Sequence, residues 1–339
     1  MAQLNSLDPR IGKVKGQILK HAMHREVLQK AGEMKPFPKN MGEIISYRRF
    51  IPFGATESTF NQPQVNVQEH VLQEGITPEA DELQKMDIEA RMDQYGAQYY
   101  YTDKVKELYE DDIPAEQVRQ IGERFGLLRE MIRWGIVRTC MNRFYAGGTS
   151  RSTVSETVSL PMLRRIARNL EINHAMRVNK MGNASNKFGT RPIESSYVVF
   201  THTDLESDIR DIPGFTKVVE YNTPPICPEE VGSVEQFRFV VSPELRPYLG
   251  GGASIGSTGL LGSGNVDVYP LIVTGQDAWA SLQLRGHTSL EVNHIGPNVI
   301  SKDDMLGQRG YVAAKMWDSA FVQNDGWMAV YEAGASTLA

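Results

Sequence analysis

Apolar and polar residues alternate along one stretch of the chain, residues 82–101. Met86, Ile88, Ala90 and Met92 would lie on one face of a β-strand, and charged residues would lie on the other. At roughly 3.3 Å per residue, a single strand of this length would extend about 60 Å, several times the usual strand of 5–6 residues. The pattern therefore predicts one strand of a long ribbon that reaches beyond the protein's own core.

Residues 42–53 are rich in Ile, Tyr and Phe and would supply the second strand of this ribbon. Residues 54–82 would connect the two strands, and they contain six acidic residues and no Lys or Arg. This connection is far longer than an ordinary hairpin loop, and a two-stranded ribbon alone is marginally stable in water. The apolar face of the ribbon therefore needs a covering surface, and no segment adjacent in sequence supplies one.

A second long element follows, because apolar residues recur at steps of three and four through residues 114–145. This spacing predicts a helix of about 32 residues, roughly 48 Å long, that Gly147 and Gly148 would end. Its core-facing positions would be Val118, Ile121, Phe125, Leu128, Ile132 and Ile136, continued by Cys140 and Phe144. Its arginines recur at steps of about five, which scatters them around the helix and favours a solvated or intersubunit charge belt.

The rest of the chain predicts alternating helices and strands. Residues 159–172 would form a helix with Leu163, Ile166 and Leu170 inward, and residues 195–211 would form a buried strand followed by a helix. Thr203 and Glu206 have the spacing of a capping box for that helix. Further strands are expected in residues 233–245 and 265–275, and a closing hairpin in residues 307–334 with its turn at residues 323–326. Near the N-terminus, residues 9–32 would form an amphipathic helix that Pro36 and Pro38 prevent from continuing.

Composition places the chain among ordinary globular proteins: of its 339 residues, 41% are hydrophobic and 23% are charged. It contains no run of 18 apolar residues and no apolar signal sequence at its start, and its two cysteines are expected to be buried or reduced thiols. Residues 1–40 hold eight basic and three acidic residues, a balance of +5, so a net charge of −5 leaves −10 for the remainder. The basic start is compatible with nucleic-acid binding, and equally with an acidic partner in the same chain or a neighbouring copy.

No catalytic, cofactor-binding or metal-binding constellation emerges from the sequence. The glycine-rich residues 249–270 lack the phosphate-binding motifs and lead into a strand, so a flexible or assembly-dependent loop is favoured. His21 and His24 lack a third ligand at plausible spacing, and no GxSxG motif is present. The chain is therefore expected not to be an enzyme. An α/β enzyme and a nucleic-acid-binding module remain as rival classes, the latter marked by steeply salt-dependent affinity.

Four blocks of sequence, in order, carry a family resemblance. They are residues 73–105, 201–215, 230–245 and 307–334, which read QEGITPEADELQKMDIEARMDQYGAQYYYTDKV, THTDLESDIRDIPGF, EVGSVEQFRFVVSPEL and GQRGYVAAKMWDSAFVQNDGWMAVYEAG. The chain resembles the major capsid proteins of tailed phages, in particular the phage N-four-type major coat family.

The resemblance implies an α+β protein with the Johnson fold of tailed-phage shells. Residues 1–41 would be the N-terminal arm, and residues 42–103 the extended loop, a β-ribbon that lies over a neighbouring subunit. Residues 104–150 and 306–339 would form the peripheral domain, with the spine helix at 114–145, and residues 151–305 would form the axial domain. The glycine-rich residues 250–265, with Gly251, Gly256, Gly259 and Gly262, would lie near the centre of each hexamer or pentamer.

The resemblance also implies a function. Many copies would assemble as hexamers and pentamers into an icosahedral head that encloses double-stranded DNA; the alternative is an encapsulin-like or other non-viral shell protein of the same fold. Partners would be the chain itself, portal, scaffolding and decoration proteins, and DNA bound without sequence specificity, with no membrane. The chain would be found in the virion capsid, and in the host cytoplasm during assembly. Because the chain begins at Met1, a separately encoded scaffolding protein is expected rather than a removable pro-segment.

Contacts between subunits are expected along the extended loop, in two groups. The acidic group would meet a basic surface of an adjacent subunit, and the apolar group would be covered either after assembly or by the subunit's own peripheral domain. The acidic group is Glu74, Glu79 and Glu82, and the apolar group is Met86, Ile88 and Met92. No cross-linking pair and no cofactor is assigned.

Overall fold

The computed structural model describes most of the chain. The described residues are 26–40, 42–55, 61–72, 74–75, 77, 80–109, 112–182, 190–221, 225–256, 259–284, 290–300 and 304–338. The predicted helix at residues 9–32 therefore lies largely outside the described residues, as does Glu79.

The described residues form a mixed α+β structure in which strands predominate. The strands are β1 (Glu33–Phe37), β2 (Ile44–Phe50), β3 (Lys85–Arg91), β4 (Asp93–Thr102), β5 (Arg143–Tyr145), β6 (Val178–Gly182), β7 (Thr190–Thr201), β8 (Phe215–Lys217), β9 (Glu230–Val234), β10 (Phe237–Val241), β11 (Gly262–Ser263), β12 (Asn265–Val266), β13 (Tyr269–Thr274), β14 (Trp279–Leu284), β15 (Glu291–Ile295), β16 (Arg309–Val322) and β17 (Met328–Ala333). The α-helices are α1 (Asp103–Leu108), α2 (Ile113–Val137), α3 (Leu160–Ile172) and α4 (Glu206–Arg210).

A five-stranded sheet is organised around β16, the longest strand. β4 and β15 pair with opposite sides of β16 over residues 311–315, and β14 pairs with its last residues, 319–322. β1 runs parallel to β14 at the edge of the sheet. Pro36, which was predicted to prevent a helix from continuing, lies within this strand; an edge strand accommodates a residue that lacks an N–H group.

An eight-stranded sheet has the order β5-β17-β13-β7-β10-β9-β8, with β6 also paired to β7. Helix α3 covers one face of this sheet, and Leu163, Ile166 and Leu170 are fully buried there, which confirms the predicted inward positions. The predicted cap at Thr203 is wrong by one residue. The cap is His202, whose ring nitrogen accepts from the Asp204 N–H at 3.1 Å, and it begins a 3₁₀ turn that leads into α4.

Helix α2 is the predicted long helix, and it packs against the five-stranded sheet. Asp112 caps its first turn by accepting from the Ala115 N–H at 3.3 Å. Of the predicted core positions, Ile121 and Phe125 are buried, while Leu128, Ile132 and Ile136 are partly buried against the core. Val118 is exposed, so its assignment to the core is wrong.

The end of α2 also differs from the prediction, because the helix stops at Val137 and has 25 residues rather than about 32. The Arg143 side chain turns back and donates to the carbonyl oxygens of Cys140 and Arg138, both at 3.0 Å. Residues 143–145, including Phe144, leave the helical direction to form β5 beside β17. Strand pairing, which no local pattern reveals, thus overrides the helical spacing after Val137.

Two predicted strand arrangements are wrong. The alternating run at residues 82–101 is divided at Met92: β3 pairs with β2 in the ribbon, whereas β4 pairs with β16 in the five-stranded sheet. The predicted closing hairpin does not form either, since β16 and β17 belong to different sheets. Both errors come from treating neighbours in sequence as partners in space.

The chain crosses between the two sheets at residues 275–278 and again at residues 323–327, and we call these two crossings the junction. Backbone hydrogen bonds connect the crossings directly. They are Gly275 N to Trp327 O at 2.9 Å, and Gln323 N and Asn324 N to Ala278 O at 2.9 and 3.1 Å. The junction therefore fixes how one sheet lies against the other.

Candidate assembly surfaces

The base of the ribbon, β2 with β3, is covered by its own chain. Ala90 and Met92 are only 3% and 4% exposed, and they pack with Leu282 and Phe321 of the five-stranded sheet. Ile88 is partly buried against the same cluster. Of the two alternatives for this apolar face, coverage by the subunit itself therefore holds for Ile88 and Met92, and Met86 is half-buried.

Specific contacts orient the ribbon on this sheet. The rings of Tyr47 and Phe321 stack with their centroids 5.0 Å apart, and the Lys35 ammonium lies 5.0 Å from the centre of the Tyr47 ring. On the solvent side, Arg48 and Asp87 form an ion pair at 2.8 Å across the two strands. The ribbon is thus held flat against the sheet by its inner face.

Beyond the base, the connecting segment has the opposite character, and we call its residues 51–84 the loop. Six of its described large apolar side chains are exposed, among them Leu72 at 73% and Leu83 at 84%. The others are Phe53, Val65, Val67 and Val71. Glu74 and Glu82 are exposed beside them. Exposed apolar side chains grouped in one segment often mark an interaction site, and here they lie beside acids in a segment without Lys or Arg.

One point of the loop is tied to the junction. The Asn61 and Asn324 side-chain amides donate to each other, with both N–O distances 2.9 Å, and both residues are buried. Asn324 also accepts from the Gly326 N–H at 3.1 Å, and a Cβ at Gly326 would clash with the Asn61 amide. We call this pair of asparagines the amide latch. It fixes the loop at Asn61, while the described residues between 65 and 83 are exposed.

The junction receives contacts from four further segments. The Gln323 side chain bridges Glu33 and Lys35 of β1, at 2.8 and 2.5 Å, and Arg49 of β2 donates to its carbonyl oxygen at 3.4 Å. The other two contacts are Asp325 to the Met141 N–H after α2, at 3.2 Å, and the Trp327 indole N–H to the Asn173 carbonyl after α3, at 3.1 Å. The orientation of the ribbon and the angle between the two sheets are therefore coupled at one place.

A buried ionic cluster attaches the N-terminal segment to α2. Glu130 accepts from the backbone N–H groups of Val27 and Leu28 at 3.0 and 3.1 Å. Asp318 of β16 lies 3.8 Å from Arg133 and 3.9 Å from Arg129. Burial raises the pKa values of the Glu130 and Asp318 carboxyls and lowers that of the Arg133 guanidinium. Such clusters fix register more than they add stability.

The glycine-rich segment is held by hydrogen bonds to the end of the chain. The Leu261 N–H donates to the Ala335 carbonyl at 2.8 Å, and the Thr337 N–H donates to that of Gly259 at 2.9 Å. Gly256 and Gly259 adopt positive φ angles, which explains their identity. Of the predicted axial positions, Gly251 is half-buried, while Gly256, Gly259 and Gly262 are exposed. Their location at the centre of a hexamer or pentamer stays a prediction.

Within the described residues, no three His, Cys, Asp or Glu side chains converge to hold a metal ion. No helix in that part of the chain is long and apolar enough to cross a membrane. Both thiols are buried, and burial raises their pKa values, that of Cys227 to about 12. A thiol with a raised pKa is a poor nucleophile, so neither cysteine is an activated one.

Sequence reasoning did not find the amide latch or the ionic cluster. Asn324 was assigned to a hairpin turn, and its partner lies 263 positions away in the chain. In the sequence, Glu130 and Asp318 each follow or precede large apolar residues, and both are buried, where a carboxylate is unexpected. A carboxylate among apolar sequence neighbours is the one feature of the sequence that indicated this cluster.

Comparison with known proteins identifies the fold. No protein-family model matches the chain. A protein of Pseudomonas phage KPP21 named major capsid protein is 20% identical over 272 residues, which cover 72% of this chain and 66% of that protein, just under two thirds. The capsid of Ralstonia phage GP4 superimposes with a TM-score of 0.68 at 13% identity, over 100% of this chain and 99% of that one.

The capsid of cyanophage P-SCSP1u gives a TM-score of 0.62 at 11% identity, over 96% of this chain and 93% of that one. Both superpositions cover more than nine tenths of each chain, so the similarity is not confined to a single motif. The chain therefore has the fold of tailed-phage capsid proteins, the Johnson fold.

Proposed function

We propose that this chain is the major capsid protein of a tailed phage, and that many copies assemble as hexamers and pentamers into an icosahedral head around double-stranded DNA. The observation that carries the proposal is the loop: an acidic segment on which six large apolar side chains are exposed. The fold and the similarity to a phage major capsid protein support it.

Assembly through such a surface does not require strong individual contacts. Each copy in a closed shell holds several neighbours at once, so that weak contacts reinforce one another. The acidic loop would add specificity and faster encounter through charge complementarity. The proposed role is therefore mechanical: the chain forms and closes a container.

The packaged DNA would be bound weakly and without sequence preference. The chain outside residues 1–40 carries a net charge of −10, which repels rather than attracts phosphate groups. A genome can then be packed without adhering to the wall. Portal, scaffolding and decoration proteins belong to the same proposal, with assembly in the host cytoplasm and the virion capsid as the final location.

The proposal is tested by expressing the full chain and measuring particle size by light scattering and negative-stain electron microscopy. Shells, tubes or ring-shaped capsomers are expected. The matched control replaces residues 65–83 with a short Gly/Ser linker, which keeps Asn61 and the ribbon base and should give a folded monomer. A parent chain that stays monomeric at high concentration, with and without molecular crowding, would refute the proposal. Steeply salt-dependent, high-affinity DNA binding would favour a nucleic-acid-binding protein instead.

A further inference from the structure

A short segment before β1 lies between the two sheets, and we call its residues 26–32 the strap. Val27 and Leu28 of the strap are fully buried, in a cluster that contains side chains of α2 and of both sheets. Among these, from α2, β7 and β14 in turn, are Trp134, Phe200 and Trp279. The strap therefore occupies the space where α2 and the two sheets meet.

No described strand pairs with the strap, which is held by side chains instead. The N–H groups of Val27 and Leu28 donate to the Glu130 carboxylate of α2, at 3.0 and 3.1 Å. The N–H groups of Lys30 and Ala31 donate to carbonyl oxygens within the strap itself. Detachment of the strap would therefore leave every described strand pairing intact. Segments with few such pairings open at a lower free energy than interior strands.

Three buried polar atoms beneath the strap have no hydrogen-bond partner among the described residues: Glu130 Oε2, Arg133 Nε and Trp279 Nε1. The Gln29 side chain of the strap accepts from another N–H of Arg133, at 3.4 Å. The Trp279 ring lies so close to Gly32 that a Cβ there would be 2.5 Å from it. A buried polar atom without a partner is unfavourable, and detachment of the strap would let water reach all three.

Two opposing effects therefore act on the strap. Burial of the Val27 and Leu28 side chains favours the attached state. Hydration of the three unpartnered atoms, together with that of the buried Glu130 carboxylate, favours the detached state. For one apolar side chain and one unpartnered polar atom, these effects are of similar size. The strap is consequently held by a smaller margin than the interior strands of either sheet.

The Glu130 carboxylate makes this balance depend on pH. Burial raises the pKa of Glu130 above the usual 4.5 and outweighs the two N–H donors and Arg133, which lower it. The other charged groups of this cluster are Arg129 on α2, Glu26 on the strap and Asp318 on β16, and burial raises the pKa of Asp318 as well. The attached state is therefore most favoured below about pH 4.5, and this advantage is lost as the pH rises through the raised value.

We propose that the strap is a proton-sensitive wedge, which detaches from between the two sheets while the rest of the fold stays intact, and that loss of the Glu130 proton favours the detached state. Detachment removes the side chains that fill the space where α2 meets both sheets. The two sheets are then held by the junction with less support from this side. The inference concerns the single chain and goes beyond the proposed function, so it holds whether or not copies assemble.

Cys227 reports on the strap in the native chain. It belongs to the same buried cluster as Val27 and Leu28. Glu229, two residues further on, pairs with Lys30 of the strap at 3.5 Å. Detachment of the strap should therefore expose the Cys227 thiol to a small alkylating reagent such as iodoacetamide.

The second native cysteine is the matched control. Cys140 is also buried, but its thiol lies beside the Asp325 and Met328 carbonyl oxygens, on the side of the junction. Mass spectrometry of the unassembled chain gives both modification rates in one sample. Cys227 should react about tenfold or more faster than Cys140, since the strap opens more often than the fold as a whole. Equal rates for the two thiols would overturn the proposal.

Shortening the wedge should favour the detached state. Leu28→Ala should raise the Cys227 rate about thirtyfold or more, because the variant loses most of the apolar burial that holds the strap. The Cys140 rate should stay close to that of the parent. An equal rise for both thiols would mean that the whole fold opens, and it would overturn the wedge.

Hydrogen exchange tests the role of the proton. Protection of the Val27 and Leu28 N–H groups, corrected for the intrinsic exchange rate at each pH, should fall severalfold as the pH rises above about 4.5. Most of this fall should be lost in Glu130→Gln. The control Glu107→Gln removes an exposed carboxylate of α1 and should keep the parent's pH dependence.

The outcomes separate the inference from the proposed function. Protection that does not change with pH in the parent, or that changes equally in Glu130→Gln, would overturn the control by the proton. Strap amides as well protected as the Val330 N–H of β17, which donates to the Asn142 carbonyl at 2.9 Å, would overturn the wedge itself. A chain that never assembles would refute the proposed function alone, because all of these measurements are made on single chains.

Discussion

The ribbon base and the loop belong to one continuous arm, yet the base buries its apolar side chains and the loop exposes them. In the base, apolar residues alternate with polar ones, and the resulting face lies against the chain's own sheet, so that Met92 is 4% exposed. In the loop, apolar residues follow no period, and Leu83 is 84% exposed. A regular apolar face indicates a partner within the fold. Irregular apolar residues in an acidic segment indicate a partner outside it.

The largest expected effect on stability lies in the ribbon base, whose apolar face is covered by the sheet. Met92→Ala should lower the free energy of unfolding by about 2–5 kcal/mol, because the truncation leaves a cavity beneath the ribbon. Urea denaturation of the unassembled chain would measure it. The matched control is Ile44→Ala on the same ribbon, since Ile44 is half-exposed and should cost far less. Equal costs for the two variants would mean that the ribbon does not rest on the sheet.

The boundary between the two regions is the amide latch, and breaking it should have a smaller effect. Asn324→Ala leaves the Asn61 amide without its partner and should cost about 1–3 kcal/mol. Hydrogen exchange should quicken at the Gln64 N–H, which donates to the Phe53 carbonyl at 3.1 Å within the loop.

Two variants check this interpretation of the latch. Gly326→Ala should reproduce the effect from the other side, because its Cβ would displace the Asn61 amide. Gln68→Ala, at an exposed position in the loop, should leave stability and exchange near the Asn61–Asn324 pair unchanged. Unaltered exchange at Gln64 in both Asn324→Ala and Gly326→Ala would show that the latch does not hold the loop.

The buried carboxylates allow the covered region to be tested by pH. Burial raises the pKa of Glu130 above the usual 4.5 and outweighs the Val27 and Leu28 N–H groups and the Arg133 guanidinium, which lower it, while Glu26 raises it further. Its contribution to stability is therefore fully present below about pH 4.5 and is lost as the pH rises through the raised value. The free energy of unfolding of the parent, relative to Glu130→Gln, should therefore fall as the pH rises above about 4.5.

Asp318→Asn provides the second measurement, because burial also raises the pKa of Asp318. The free energy of unfolding of the parent, relative to Asp318→Asn, should also fall as the pH rises, as it does relative to Glu130→Gln. A difference that grows with pH for either variant would contradict the inference that desolvation dominates in this cluster.

The sequence allowed local elements to be predicted where one period ran through one environment. The inward face of α3 was predicted correctly because Leu163, Ile166 and Leu170 all pack on a single sheet. The same reasoning failed at Met92 and at Val137, where the period continues but the partner changes: from β2 to β16 in the first case, and from helix to the β17 edge in the second. Periodicity reports which face is buried, and it does not report which element buries it.

The candidate assembly surface shows the same limit. The acidic character of the loop was visible in composition, so Glu74 and Glu82 were found, whereas Ile88 and Met92 were grouped with them because they belong to the same arm. Asn61 and Asn324 carry no local pattern, since an asparagine in a loop and another in a turn are both ordinary. Contacts across 263 positions depend on the topology of both sheets, which no window of sequence contains.

The smallest effect on the stability of the isolated chain is expected in the exposed loop, at Leu83. A variant at this position is also the most informative about assembly. Leu83→Ser should change the free energy of unfolding by less than about 0.5 kcal/mol, because the side chain is exposed and contributes little to the folded monomer. In the assembled state the same leucine would be buried against a second copy, where an apolar side chain of this size contributes about 1.5–3 kcal/mol. The concentration for half-assembly should therefore rise about tenfold or more, measured by light scattering beside urea denaturation of the monomer. A variant that unfolds more easily yet assembles normally would place Leu83 in the monomer's own core. One that changes neither property would remove the loop from the interface.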